Sequence, residues 1–364
     1  MTIKRVLLAC VFAGCLAACG GGGDAGGTPP PSPPPATPDP FADVDRAASA
    51  AFNAQGINGM GVVIYDAQGV KRFEKMYGTF AADQRVAIAS SSKLVSGLTI
   101  LRLVDQGFLT LDSTTGAVLG WTGPQAGITL RQLLSFTSGL PPEAPCTLLQ
   151  NLTLAQCVET ISQMTPVAPP GTRYDYGSSH LQVAARMAEV VTGQPWANIF
   201  DAQLKNPLGL GIEMLYYTAP RQGAGTSNPL IAGGLRATMN EYARVLQLEY
   251  NRGVYQGNRL ISDALMTAQA TEPYPDAEIG VSPFAKVGLN FHYGLANWLE
   301  CPPPATNCAV QSSPGAFGFT PWVDRDGGYY AMIAMEVSES QSGIVDFSVN
   351  LAQDLKPLIR NALR

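Results

Sequence analysis

Ser90, Ser91, Ser92 and Lys93 stand at the front of an apolar stretch, with the first serine three residues before the lysine. On a helix this spacing puts the two side chains on one face, one turn apart. A serine hydroxyl is a poor nucleophile until a nearby base takes its proton, and a lysine amine beside it can be that base. The N-terminus of a helix would favour the negative charge that develops on the oxygen. The chemistry implied is acyl transfer through a covalent serine ester. The same four residues also read as a helix start, with serine caps and a solvated lysine. The rest of the chain has to decide between the two.

Other chemistries find little support. No Gly-x-Ser-x-Gly elbow, no P-loop and no dinucleotide fingerprint occurs in the 364 residues. The only histidines, His180 and His292, lack metal-ligand spacing and read as structural. No metal or organic cofactor is expected. Net charge is −5 and no basic run occurs beyond the first residues, which argues against nucleic acid as a partner.

The elements that must carry Ser90 follow from periodicity. Residues 41 to 55 alternate at helical spacing and stop before Gly56. Residues 59 to 65 and 70 to 77, around the turn Asp66-Ala67-Gln68-Gly69, read as a hairpin. A helix runs from Ser90 with Leu94, Leu98, Leu101 and Val104 as its apolar stripe, and Gly107 ends it. Residues 108 to 250 are helix-rich. Residues 315 to 323 and 329 to 337 read as strands about the turn at 324 to 328, and a last helix spans 342 to 362, with Pro357 as a candidate bend. The fold class expected is α/β of the α+β kind. Its antiparallel sheet draws strands from both chain ends, helices flank it, and a helical lobe lies between. A cleft between the two parts is the natural place for a site.

The first forty residues stand apart. Lys4 and Arg5 precede an apolar run from Val6 to Ala17, too short to span a bilayer comfortably. Leu16-Ala17-Ala18-Cys19 resembles a bacterial lipobox, which implies a signal peptide over 1–18 and lipid on Cys19; an ordinary secretory signal is the alternative. Gly20 stands where an aspartate would favour inner-membrane retention, so the expected location is the periplasmic face of the outer membrane, with surface exposure the variant. Residues 19 to 40, rich in glycine and proline, read as a tether to the remaining chain, 41–364, which is long enough for one large domain or two interleaved subdomains. Of seven cysteines, Cys146, Cys157, Cys301 and Cys308 remain after the signal and the lipid site. Their close spacing suggests disulfides Cys146–Cys157 and Cys301–Cys308 in an oxidising compartment, in preference to a metal site.

Four segments together resemble one family. Residues 85 to 112 (RVAIASSSKLVSGLTILRLVDQGFLTLD) are similar to the nucleophile helix of the serine β-lactamase and penicillin-binding-protein-like hydrolases. The nearest branch holds class C β-lactamases, D-Ala-D-Ala carboxypeptidases and related esterases. Residues 128 to 141 (ITLRQLLSFTSGLP) resemble that family's LLxHTSGLP segment, with Phe136 in place of histidine. PGTRYDYGSSHLQVAARMAEVVTG, from Pro170, resembles the stretch with its Tyr-x-Asn motif, and Ala232-Gly233-Gly234-Leu235 and the last strands also match. The resemblance covers nearly all of 41 to 364.

It implies a β-lactamase/transpeptidase-like fold and a set of roles. Ser90 would be the acyl-accepting nucleophile and Lys93 its base, or the group that tunes one. Tyr176, rather than the nearby Tyr174, would shuttle the proton as a phenolate held by lysine charge; a core aromatic is the other reading. Ser313-Pro314-Gly315 stands for the third motif, normally Lys-Thr-Gly or His-Thr-Gly, and an ordinary turn is its alternative. The backbone N–H groups of Ser90 and Ala316 would form the oxyanion hole, with Gly315 allowing close approach. Ser178 replaces the motif asparagine, which meets the substrate amide and the lysine. Ser313 replaces the group that favours a substrate carboxylate. Loss of that positive charge weakens carboxylate-bearing substrates most, β-lactams and D-Ala-D-Ala peptides among them.

The expectation is therefore a serine hydrolase that is esterase-like on neutral esters or amides, held to the membrane through Cys19. β-Lactamase or D-Ala-D-Ala carboxypeptidase activity is the alternative. A non-catalytic envelope protein that binds peptidoglycan fragments is a reading of another class, and keeping Ser90, Lys93 and Tyr176 together weighs against it.

Overall fold

The computed structural model describes residues 39–219, 225–285, 288–337 and 343–364. The expected signal segment 1–18, Cys19 and the expected tether as far as residue 38 lie outside the described residues.

The expected hairpin forms from Gly59–Asp66 and Lys71–Gly78. Asp66 makes the turn, its Oδ1 accepting from the N–H of Gln68 at 3.0 Å and of Val70 at 2.9 Å. On its other edge Gly59–Asp66 takes Tyr329–Glu336, antiparallel from Gly59↔Glu336 to Asp66↔Tyr329. The sheet then continues through Thr320–Asp324, Val310–Ser312, Trp298–Leu299 and His292–Tyr293, giving seven strands among the described residues, each antiparallel to its neighbours. Both chain ends thus contribute central strands, as the patterning predicts. The three short strands between residues 292 and 312 are too brief to show alternation, and periodicity gives no sign of them. The strand expected from 315 begins at Thr320 because Gly318 N–H closes a turn on the Gly315 carbonyl at 3.0 Å.

Alternate residues of the central strands serve two cores, since successive side chains point to opposite faces. Met60, Val62 and Ile64, with Ala331 and Ile333, pack against Val44 and Ala48 of the helix Ala42–Gln55 and Leu351, Leu355 and Ile359 of the helix Ile344–Ala362. Val63, Met332 and Ala334 join the larger core on the other face. Coverage on both faces is why these strands read as nearly continuous apolar runs. Pro357 lies inside the C-terminal helix.

The helix carrying Lys93 spans Ser92–Asp105 and is buried on all sides, from Ser92 through Leu101 and again at Leu103. The expected stripe understates this, for Ile100 and Leu103 off the stripe are as deeply buried as Leu98. An all-round apolar helix is a central one. Truncating Leu98 to alanine there would cost about 2–5 kcal/mol. The helices Leu130–Leu134, Leu154–Ser162, Ser179–Thr192 and Met239–Tyr250 fall in the helix-rich stretch 108–250, and the last of them packs against the strands Thr320–Asp324 and Tyr329–Glu336. Thr129 with Gln132, and Thr153 with Gln156, close capping boxes at the first two. Both expected cysteine pairs are joined, with Cα–Cα separations of 5.2 Å for Cys146–Cys157 and 5.8 Å for Cys301–Cys308.

Candidate active site

Of the three consecutive serines, only one faces the lysine. Ser91 and Ser92 are fully buried and anchor the helix. Ser91 Oγ donates to the carbonyls of Ser313 at 2.7 Å and Phe319 at 2.8 Å. Ser92 Oγ donates to the Ala89 carbonyl at 2.7 Å and accepts from the N–H of Leu235 at 3.1 Å. Ser90 keeps partial access to solvent, and Lys93 Nζ donates to its Oγ at 3.0 Å. Ser90 itself lies in a 3-10 turn, Ala89–Ser91, with the α-helix proper starting at Ser92. Ala89 has φ +45°, a left-handed conformation in a non-glycine residue directly before the nucleophile. Strain of this kind gathers at functional sites.

Lys93 is 4% exposed, and its Nζ also donates to the Ala232 carbonyl at 3.0 Å. Burial disfavours its charged form and lowers the amine pKa to about 8, with the Glu143 carboxylate opposing part of that fall. A lysine poised this near neutrality exchanges protons readily.

Tyr176 is held from three directions. Asp175 N–H bonds the Phe136 carbonyl at 3.0 Å, Tyr176 N–H the Val281 carbonyl at 2.8 Å, and Ser178 N–H the Pro142 carbonyl at 2.8 Å. Its ring stacks on Trp298 at 5.1 Å and meets Phe136 edge-on at 5.5 Å, and Lys93 Nζ lies over its face, 4.6 Å from the centroid. Burial pushes the phenol pKa up, and hydrogen bonds with the Ser90 hydroxyl and the Trp298 indole offset only part of the rise. Desolvation of the hydroxyl thus works against the expected phenolate, while Lys93 Nζ meets the face of the ring.

The third segment meets the first through backbone. A Cβ on Gly315 would lie 2.1 Å from the Ile88 carbonyl oxygen, so only glycine fits there. Gly315 N–H bonds the Phe319 carbonyl at 2.8 Å, and the adjoining Ala316 is exposed. Ser313 is 3% exposed and turns its hydroxyl to the Ser90 carbonyl at 3.4 Å. It is buried beside the nucleophile's backbone and brings no charge to the site. Ser178, expected to meet substrate, is half-buried, and its Oγ donates to Glu143 Oε1 at 3.4 Å.

Tyr174 is buried with its hydroxyl unpartnered in the protein and lies against Tyr293 and Trp298, apart from the serine–lysine pair. His180 is a buried structural residue. Its Nδ1 lies 2.7 Å from Ser138 Oγ and its Nε2 2.9 Å from the Asp175 carbonyl, and burial lowers its pKa to about 4. Phe136, at φ +60°, stacks on His180 at 5.0 Å and on Tyr293 at 4.7 Å. His292 pairs with Glu272 at 2.7 Å. Sequence reasoning passed over Trp298, Tyr293 and Glu143, and it marked Ala232 within a matching segment without its role. The first two sit on two-residue strands with no motif, and Ala232 acts through a carbonyl that any residue has. Glu143 carried a signal, a lone acid in the apolar run after Pro141-Pro142.

Comparison with known proteins identifies the family and the fold. The Beta-lactamase family model matches residues 44–347. The D-alanyl-D-alanine-carboxypeptidase/endopeptidase AmpH of Escherichia coli K12 is 28% identical over 244 residues, which are 58% of this chain and 63% of that protein. The chain thus spans under two thirds of that curated relative. The crystal structure of a candidate beta-lactamase from Bacteroides dorei superposes with a TM-score of 0.76 at 28% identity, covering 88% of this chain and 98% of that one. A penicillin-binding-protein homologue from Caulobacter crescentus, 21% identical with a TM-score of 0.66, covers 86% of this chain and 96% of its own and shares the fold.

Proposed function

The chain belongs to the beta-lactamase family of serine hydrolases, and on that premise we propose that it works through an acyl-Ser90 intermediate, esterase-like on neutral esters or amides. The observation that carries this reading is the 3.0 Å contact between Lys93 Nζ and Ser90 Oγ, with Lys93 buried and its amine lowered to about 8. The neutral amine takes the proton as Ser90 Oγ bonds to the substrate carbonyl carbon. The oxyanion is met by the N–H groups of Ser90 and Ala316. The leaving group departs with a proton passed through the Tyr176 hydroxyl, leaving acyl-Ser90 and Lys93 neutral again. Water activated by the same amine then releases the acid and restores the serine. No step asks Tyr176 to ionise in the resting enzyme.

The preference for neutral over carboxylate-bearing substrates rests on Ser313, which supplies no cation where the family pattern has one. The β-lactamase or D-Ala-D-Ala carboxypeptidase reading is favoured instead by the likeness to AmpH. Turnover of a short-chain p-nitrophenyl ester and a chromogenic cephalosporin by wild type and Ser90→Ala separates these. Ser90-dependent release with the ester but not the cephalosporin supports the esterase reading, and turnover of the cephalosporin alone overturns it. Full activity of Ser90→Ala on both overturns the nucleophile.

We also propose export and lipid anchoring at Cys19, supported by the lipobox-like Leu16–Cys19 and the two joined cysteine pairs, at the periplasmic face of the outer membrane. Membrane fractionation of wild type and Cys19→Ala tests it: the variant should leave the membrane pellet, and its retention there overturns the anchor.

A further inference from the structure

We infer that Glu143 sets the charge preference of this site, favouring substrates that carry a cation on the acyl portion and disfavouring those that carry a carboxylate there. The inference rests on Ser90 being the acyl acceptor. Glu143 follows the segment ending in Leu140-Pro141-Pro142, and its backbone is tied to the turn that presents Tyr176. The Pro142 carbonyl accepts from the N–H of Ser178 at 2.8 Å and of Ser179 at 3.1 Å. A Cβ on Gly177 would lie 2.0 Å from that same oxygen, so the two segments touch with no side chain between them. The Glu143 side chain is exposed, and its Oε1 accepts from Ser178 Oγ at 3.4 Å.

Three further observations give the carboxylate its role. Among the described residues no lysine or arginine forms an ion pair with Glu143, so its charge is available to a ligand. That charge reaches the catalytic groups, for it opposes the fall of the Lys93 pKa and adds to the rise of Tyr176, whereas no arginine contributes to either shift. Ser313, against the backbone of the nucleophile, provides no cation. A substrate carboxylate would therefore meet a like charge and no partner, whereas a substrate ammonium would meet an unpaired acid. The acyl portion is the side concerned, because Glu143 rests on Ser178, the position that the family resemblance assigns to the substrate amide. An exposed pair of charges changes binding by a few-fold in either direction, so cation and anion should differ about tenfold.

Three p-nitrophenyl esters with one leaving group and matched acyl length provide the test: pentanoate, the monoester of glutarate, and 5-(trimethylammonio)pentanoate. Wild type should give a cation-to-anion ratio of kcat/KM of about ten, with the neutral ester between. Glu143→Gln should bring the ratio to within about twofold, Glu143→Asp should restore part of it, and Glu143→Lys should invert it. The ratio cancels any general loss of folding or of chemistry in a variant. An unchanged ratio in Glu143→Gln, with the neutral ester still turned over through Ser90, overturns the role of Glu143. Absence of Ser90-dependent release from all three esters overturns the hydrolase reading beneath it.

Discussion

Lys93 Nζ lies 3.0 Å from Ser90 Oγ, inside a helix so buried that the amine is held near a pKa of 8. Contact and burial act together: the contact gives the proton a short path, and burial makes the neutral amine accessible at working pH. Acylation should therefore rise as pH increases through about 8, where the ammonium form gives up its proton. The p-nitrophenolate burst, followed from pH 6 to pH 10 and corrected for ester hydrolysis, measures this limb. A rate that is flat across the range would remove Lys93 from the role of base.

The same burial carries a stability cost. The folded-state pKa of Lys93 lies below its ordinary 10.5, so between about 8 and 10.5 the folded chain binds fewer protons than the unfolded one, and stability rises with pH across that window. Below about 8 the cost is fully present. Lys93→Met removes the amine while filling its space, and should stabilise the protein by about 1–3 kcal/mol at neutral pH while abolishing acylation. Denaturant unfolding of the two proteins at pH 7 checks it, and a less stable variant contradicts it.

Tyr176→Phe keeps the ring between Trp298 and Phe136 and removes only the hydroxyl. Thermal stability should change little, while acylation of Ser90 falls by about 10²–10⁴, the range of a lost general acid–base group. Stopped-flow acylation beside a melting curve distinguishes this from a packing role, which would lower stability and leave the rate per folded molecule intact.

Gly315→Ala puts a methyl group 2.1 Å from the Ile88 carbonyl oxygen, so the loop between Val310–Ser312 and Thr320–Asp324 must move away from the nucleophile turn. Stability should fall by about 1–3 kcal/mol, and kcat should fall further than stability accounts for, because the oxyanion donor moves with the backbone. A variant with wild-type kcat would separate this loop from catalysis.

The parts of this arrangement that sequence revealed are those written in local spacing. Ser90 and Lys93 lie three residues and one helical turn apart, the Gly59–Asp66 strand follows from a short apolar run ended by the Asp66 turn, and the paired cysteines are close in the chain. The protonation of Tyr176 was not legible, because it depends on Trp298 and Phe136, brought in from 122 and 40 residues away. Ser178 and Ser313 were visible as departures from a family pattern. Only the structure adds that Glu143 stands on the first and that the second is spent on the Ser90 carbonyl. The short strands between 292 and 312 were invisible for a different reason, since two or three residues cannot display a period.

The central claim is that Ser90 carries the acyl group, and trapping that group tests it most directly. After brief incubation with a p-nitrophenyl ester and an acid quench, intact mass followed by peptide mapping should show one added acyl group on the peptide containing Ser90. Ser90→Ala should show none, and Lys93→Met should show far less. An adduct that persists in Ser90→Ala, or one that maps to another residue in wild type, would contradict the account.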